Sequence, residues 1–147
     1  MRNLNTRSFY IGKSYGHSME PLISPGDKLY IEKNERKIYI GDILILTQKK
    51  RLLAHRVVKI LEGRIVTKGD NMIYPDQPFD KKYIIGKVVQ IIGKHGVINL
   101  RSMPYKLINL YFISISLIIF YSPFMLKYRL NRLFRGYKIF NKIKIFL

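Results

Sequence analysis

The stretch Leu53-Ala54-His55-Arg56-Val57-Val58-Lys59-Ile60-Leu61, followed by Glu62-Gly63 and then Arg64-Ile65-Val66-Thr67, reads as two strands joined by a tight turn. Both runs are rich in β-branched and apolar residues, and a glycine in the connection accepts the backbone angles that a two-residue hairpin requires. Outward from this hairpin the pattern repeats. Lys28 to Glu32, Asp42 to Thr47 and Tyr83 to Ile92 are further short apolar runs, and Gly26-Asp27, Gly41-Asp42 and Gly69-Asp70 each mark a turn at a strand end. No part of this region holds a helical period for long, and there is no internal repeat. The expectation is a mainly β domain over residues 16–106. Residues 71–82, with Pro75 and Pro78, form the one loop long enough to fold over a site.

The chemistry centres on Gly16-His17-Ser18-Met19-Glu20-Pro21, which runs into the turn Pro25-Gly26-Asp27. A serine hydroxyl becomes a nucleophile at neutral pH only with a base in reach and a third group orienting that base. His55 and one of Asp70 or Asp76 have the right chemistry. Taken alone, a serine ahead of a proline-containing turn is structural.

Three further segments change that reading: Gly41-Asp42-Ile43-Leu44-Ile45, His55-Arg56-Val57-Val58 and Lys68-Gly69-Asp70-Asn71 come after the serine segment in order. Together the four resemble the boxes of the type I signal peptidases and the related SOS-repressor peptidases, over roughly residues 16–93. A histidine at the base position resembles the Ser-His branch of the signal peptidases. The resemblance implies a coiled, partly closed antiparallel sheet, with Ser18 as nucleophile and His55 as general base. It implies Asp76, six positions beyond Asp70, as the third member, leaving Asp70 a supporting role at its turn or that of alternative acid. Met19 and Pro21 are read as packing and shaping the turn, and the family box implies that Met19 also lines the substrate pocket. Where some relatives carry a second oxyanion donor, a serine two positions before the nucleophile, this chain has Gly16; the Ser18 amide is the other candidate donor. His17 is read as shaping the loop, Asp80 as solvated, and Lys59 and Lys68 as rival bases that would need desolvation.

The chain has 147 residues, no cysteine and three histidines without metal-site spacing, so neither metal nor cofactor is expected. Its net charge of +18 invites a nucleic-acid reading. The basic residues are scattered, however, and the chain is rich in Ile, Lys and Asn, so no nucleic-acid partner is expected. The charge suits an anionic membrane surface better.

Residues 107–126 carry no charge, and twenty helical residues span about 30 Å, a bilayer's hydrocarbon thickness. They are read as a transmembrane helix, and residues 127–147, with seven Lys or Arg and no acid, as a basic amphipathic tail. Residues 1–15 hold no apolar run and are read as an N-terminal segment outside the domain. The positive-inside rule would then put the tail in the cytoplasm and the β-domain on the outer face. The implied activity is a membrane-associated serine endopeptidase acting on an exported preprotein or a dedicated leader peptide. The alternative is a peptide-binding or assembly module that keeps the fold without catalysis. Oligomeric state is not legible.

Overall fold

In the structure, a computed structural model, residues 9–33, 37–48, 51–94, 96–122 and 126 are described. The strands are β1 (Phe9–Lys13), β2 (Lys28–Glu32), β3 (Ile43–Gln48), β4 (Arg51–Leu61), β5 (Arg64–Lys68), β6 (Phe79–Asp80), β7 (Ile84–Gly93) and β8 (Gly96–Asn99). A single 3-10 turn, Lys81–Tyr83, precedes β7, and one helix, α1 (Met103–Tyr121), closes the described chain. The protein is mainly β. All strand pairs are antiparallel, in one open sheet of order β1-β2-β7-β3-β4-β5-β6.

The hairpin of β4 and β5 forms as the sequence suggests, with Gly63 at φ 72° in its turn. The long β7 is the organising strand. It pairs with β2 along one side, while its other side is shared by β3, near Ile84 to Lys87, and by β8, near Gln90 to Gly93. Such crossovers bury both faces of the middle of the sheet. In β3, Ile43 and Ile45 enter a core with Met19, Leu22, Leu29, Val88, Ile91 and Phe112, whereas Leu44 and Leu46 join Val57 and Ile65 on the opposite face. This explains why β3 reads as continuous apolar sequence rather than as alternation.

Three expectations need correction. The sheet begins at Phe9, inside the segment placed outside the domain, because β1 pairs with β2 from Phe9↔Glu32 to Lys13↔Lys28. The 71–82 loop contains β6, which pairs with β5 at Arg64↔Asp80 and Ile65↔Phe79. The helix starts at Met103 rather than Leu107: Ser102 caps it by accepting from the Tyr105 amide at 3.4 Å, and Pro104 sits in the first turn where no amide bond is lost.

The transmembrane reading finds no support. Among the described residues no helix is long and apolar enough to cross a membrane. Tyr105 and Phe112 of α1 belong to the domain's core, so the helix lies along the β-domain instead of leaving it for lipid. The inside–outside assignment, which rested on a spanning helix, loses its basis. The tail 127–147 lies outside the described residues.

Candidate active site

Ser18 sits in the turn between β1 and β2, and its neighbours hold that turn rigidly. Met19, Leu22 and Ile23 are 3%, 0% and 0% exposed, which pins the turn to the core from below. Pro25-Gly26-Asp27 closes it: the Gly26 amide donates to the Ser14 carbonyl at 2.7 Å, and the Ser14 amide to the Asp27 carbonyl at 2.8 Å. Met19 is therefore a core residue. That position suits a residue that packs and shapes the turn.

From the other side the turn is gripped by Lys68-Gly69-Asp70-Asn71. The Asn71 amide donates to the Ser18 carbonyl at 2.8 Å, and the Asn71 side-chain amide to the His17 carbonyl at 3.0 Å. Gly69 permits this approach, because a Cβ there would lie 2.6 Å from the Ser18 carbonyl oxygen.

Strand β4 sorts the polar groups by face. Successive residues on a strand point to opposite sides, so His55 and Arg56 serve different partners. His55, 5% exposed, carries Asp76 Oδ2 on Nδ1 at 2.6 Å and Ser18 Oγ on Nε2 at 3.2 Å. With the Nδ1 hydrogen donated to the carboxylate, Nε2 is left as the acceptor for the serine hydroxyl. Asp76 is itself fixed by Thr67, whose hydroxyl donates to the same Oδ2 at 2.7 Å and whose carbonyl accepts the Asp76 amide at 2.8 Å. Thr67 lies opposite Val57 in the β4–β5 register, on the His55 face.

Arg56 is fully buried on the other face. Its Nε and Nη2 donate to the two oxygens of Asp70 at 2.7 and 2.6 Å, and its Nη1 to the Gly41 carbonyl and the Tyr105 hydroxyl, both at 3.1 Å, and to Asn109 Oδ1. The Phe112 ring covers it at 4.9 Å. Burial opposes the guanidinium charge, but the Asp70 carboxylate and the Tyr105 hydroxyl together outweigh it and hold the pKa above its ordinary value. Burial in turn raises the Tyr105 hydroxyl, which the nearby guanidinium offsets only in part.

The structure thus brings Ser18, His55 and Asp76 into one hydrogen-bonded line and places Asp70 elsewhere, on Arg56. His17 is turned outward and pairs with Glu20 at 3.1 Å. Asp80 is an exposed partner of Lys82 at 3.7 Å, and Lys59 is exposed on a strand bulge. Lys68 is desolvated, as a lysine base would have to be. Burial, partly offset by Asp70, pulls its pKa below the ordinary value, yet its Nζ donates to the Gly69 carbonyl at 3.3 Å, while the hydroxyl of Ser18 is in the hands of His55. Among the described residues the Ser18 amide makes no hydrogen bond, so it is available to a developing oxyanion. Thr67 and Arg56 are the site residues that sequence reasoning missed. Thr67 acts through cross-strand register, which a linear pattern does not display, and Arg56 stood inside a quoted segment without a partner to give it meaning.

The arrangement has the parts for acyl transfer: a hydroxyl nucleophile, a base hydrogen-bonded to it, and a carboxylate holding the base. The edge beside it is open. Strand β4 pairs with β3 from Arg51 onward but with β5 only from Arg56 onward, so no described strand covers the other edge of Arg51 to His55. A cavity of about 280 Å³ lined by Leu46, Leu53, Phe79, Tyr83 and Asp76 adjoins that edge.

Comparison with known proteins gives one family. A family model described as Peptidase S24-like matches residues 4–94, a segment that includes Ser18, His55 and Asp76 and ends before α1. No curated protein matches the chain.

Proposed function

This chain belongs to the Peptidase S24-like family, and from that membership we propose that it is a serine endopeptidase in which Ser18 attacks, His55 is general base and then general acid, and Asp76 orients the imidazole. The observation that carries the reading is the unbroken line Ser18 Oγ, His55 Nε2, His55 Nδ1, Asp76 Oδ2, at 3.2 and 2.6 Å. On attack, Nε2 takes the hydroxyl proton while the Ser18 amide meets the oxyanion. His55 then returns the proton to the leaving amine, and water repeats the cycle on the acyl-enzyme.

The substrate in this reading is an extended peptide. It adds to the open edge of β4 ahead of His55, so that main-chain hydrogen bonds align it and its scissile carbonyl reaches Ser18. The cleavage site has a small residue, as in the signal-peptidase relatives that the four ordered segments resemble, and the natural substrate is an exported preprotein or one dedicated leader peptide. Full-length protein should cleave such peptides, with activity lost in both Ser18→Ala and His55→Ala. Cleavage that survives both changes would remove the proposal.

One observation favours a second reading. Gly16 leaves the oxyanion with the Ser18 amide as its only identified donor, which suits a module that binds extended peptides without cutting them. Such a module would bind the same peptides with equal affinity in wild type and Ser18→Ala, and yield no product in either.

A further inference from the structure

The residues of α1 that face away from the domain are mostly apolar, with the exposed Ser114 among them, its hydroxyl turned back onto the Leu110 carbonyl. Met103, Leu107, Leu110, Tyr111, Ile118 and Tyr121 are between 49% and 74% exposed, and at about 100° per residue they fall within an arc of about 100°. The opposite face carries Tyr105, Phe112, Ser116 and Ile119, all buried. A helix packed on one side of a water-facing domain ordinarily turns polar residues outward. Here no charged residue occurs between Lys106 and Lys127.

The charge of the chain beyond α1 identifies the occupant of that face. From Lys127 to the end there are seven Lys or Arg and no acid. Pairing the stripe with a second copy would bring together two chains of net charge +18, whereas an anionic surface attracts both. We propose that α1 lies in the plane of an anionic lipid surface, its outer stripe among the acyl chains and headgroups and the basic tail adding electrostatic attraction. Tyr111 and Tyr121 suit the headgroup level, with an apolar body and a polar tip. A helix that lies on the membrane needs neither the length nor the uniform apolarity of one that crosses it, in keeping with the absence of a spanning helix among the described residues. The proposal does not depend on peptidase activity.

Sedimentation of full-length protein with vesicles tests it. Binding to phosphatidylcholine mixed with phosphatidylglycerol should be strong and fall with salt, and binding to phosphatidylcholine alone weak. Leu107→Asp with Leu110→Asp should lower the partition by at least about tenfold while leaving the melting profile unchanged, since both side chains are exposed. Neutralising Arg129, Arg132 and Arg135 to Gln should lower it about fivefold per cation. Equal binding to neutral vesicles, or binding untouched by the Leu changes, overturns the proposal. So does a Leu107→Cys thiol shielded from alkylation in the lipid-free protein, which would mean that the chain's own tail or a second copy covers the stripe.

Discussion

At the scale of the residue, the site depends on His55 and Arg56 being neighbours. One peptide bond separates them and the strand turns them apart, so each collects its own aspartate: Asp76 at 2.6 Å for the imidazole, Asp70 at 2.6 Å for the guanidinium. Asp76→Asn should leave the fold intact and lower kcat on the order of 10⁴-fold, because an amide can donate to Nδ1 and so present the wrong tautomer to Ser18. If Asp70→Asn does this instead without loss of stability, the assignment of the acid is wrong. Gly16 offers the opposite experiment. A Cβ there meets nothing within 4 Å, so Gly16→Ser should be tolerated, and its hydroxyl, acting as a second oxyanion donor, should raise kcat by up to about 10²-fold with little change in KM. Unchanged kcat would mean that the added hydroxyl does not reach the oxyanion.

At the scale of the element, α1 is tied to the strand that carries the base. Arg56 reaches across the core to Tyr105 and Asn109, and Gly41, at φ 94°, lies under Asn109 so closely that a Cβ would meet its side chain at 2.3 Å. The helix lies beyond the family-matched residues, yet it completes the shell of a buried charge beside His55. Asn109→Leu takes one charge-assisted acceptor from Arg56 Nη1, which keeps the Gly41 carbonyl and the Tyr105 hydroxyl, and should cost about 1 kcal/mol, read as a lower urea midpoint with unchanged slope. A midpoint equal to wild type would show that α1 is not anchored through this contact. The serine turn has the same dependence on a distant element, since Asn71 and Gly69 set the position of Ser18 from more than fifty residues downstream.

At the scale of the whole molecule, the interior holds more cation than anion around β4 and β5. Arg56 and Lys68 are cross-strand partners, 0% and 2% exposed, and Asp70 is committed to Arg56. Burial therefore pulls the Lys68 pKa down from 10.5. Between the lowered folded value and the unfolded one the unfolded chain binds more protons, so stability rises with pH across that window. Below the folded value the penalty is present in full. Lys68→Met should remove the rise and stabilise the protein at lower pH, by about 1.4 kcal/mol for each tenfold loss of proton affinity that folding imposes on the lysine. Melting profiles of the two proteins across the alkaline range would decide it, and parallel curves would mean that Lys68 titrates as it does in water.

The linear chain was enough to reveal the β class, the positions of β2, β3, β4, β5 and β7, and the residues Ser18, His55 and Asp76 as candidates. Runs of β-branched residues between glycine turns, and a serine and a histidine in ordered segments, are local properties that a linear reading can see; Asp76 lies outside those segments and was reached through the family resemblance. It did not show β1, β6 or β8, whose short or mixed sequences become strands only because a neighbour offers its hydrogen-bonding edge. The helix was legible as an apolar run, but whether such a run crosses a membrane or lies on a domain depends on what meets its buried face. The buried Arg56 with Tyr105, Asn109 and Phe112 decided that. Folding likewise joined Asp76 to His55 and Asp70 to Arg56, because the alternation of β4 and its register with β5 fix which face each partner occupies. Spacing along the chain carries no record of that face.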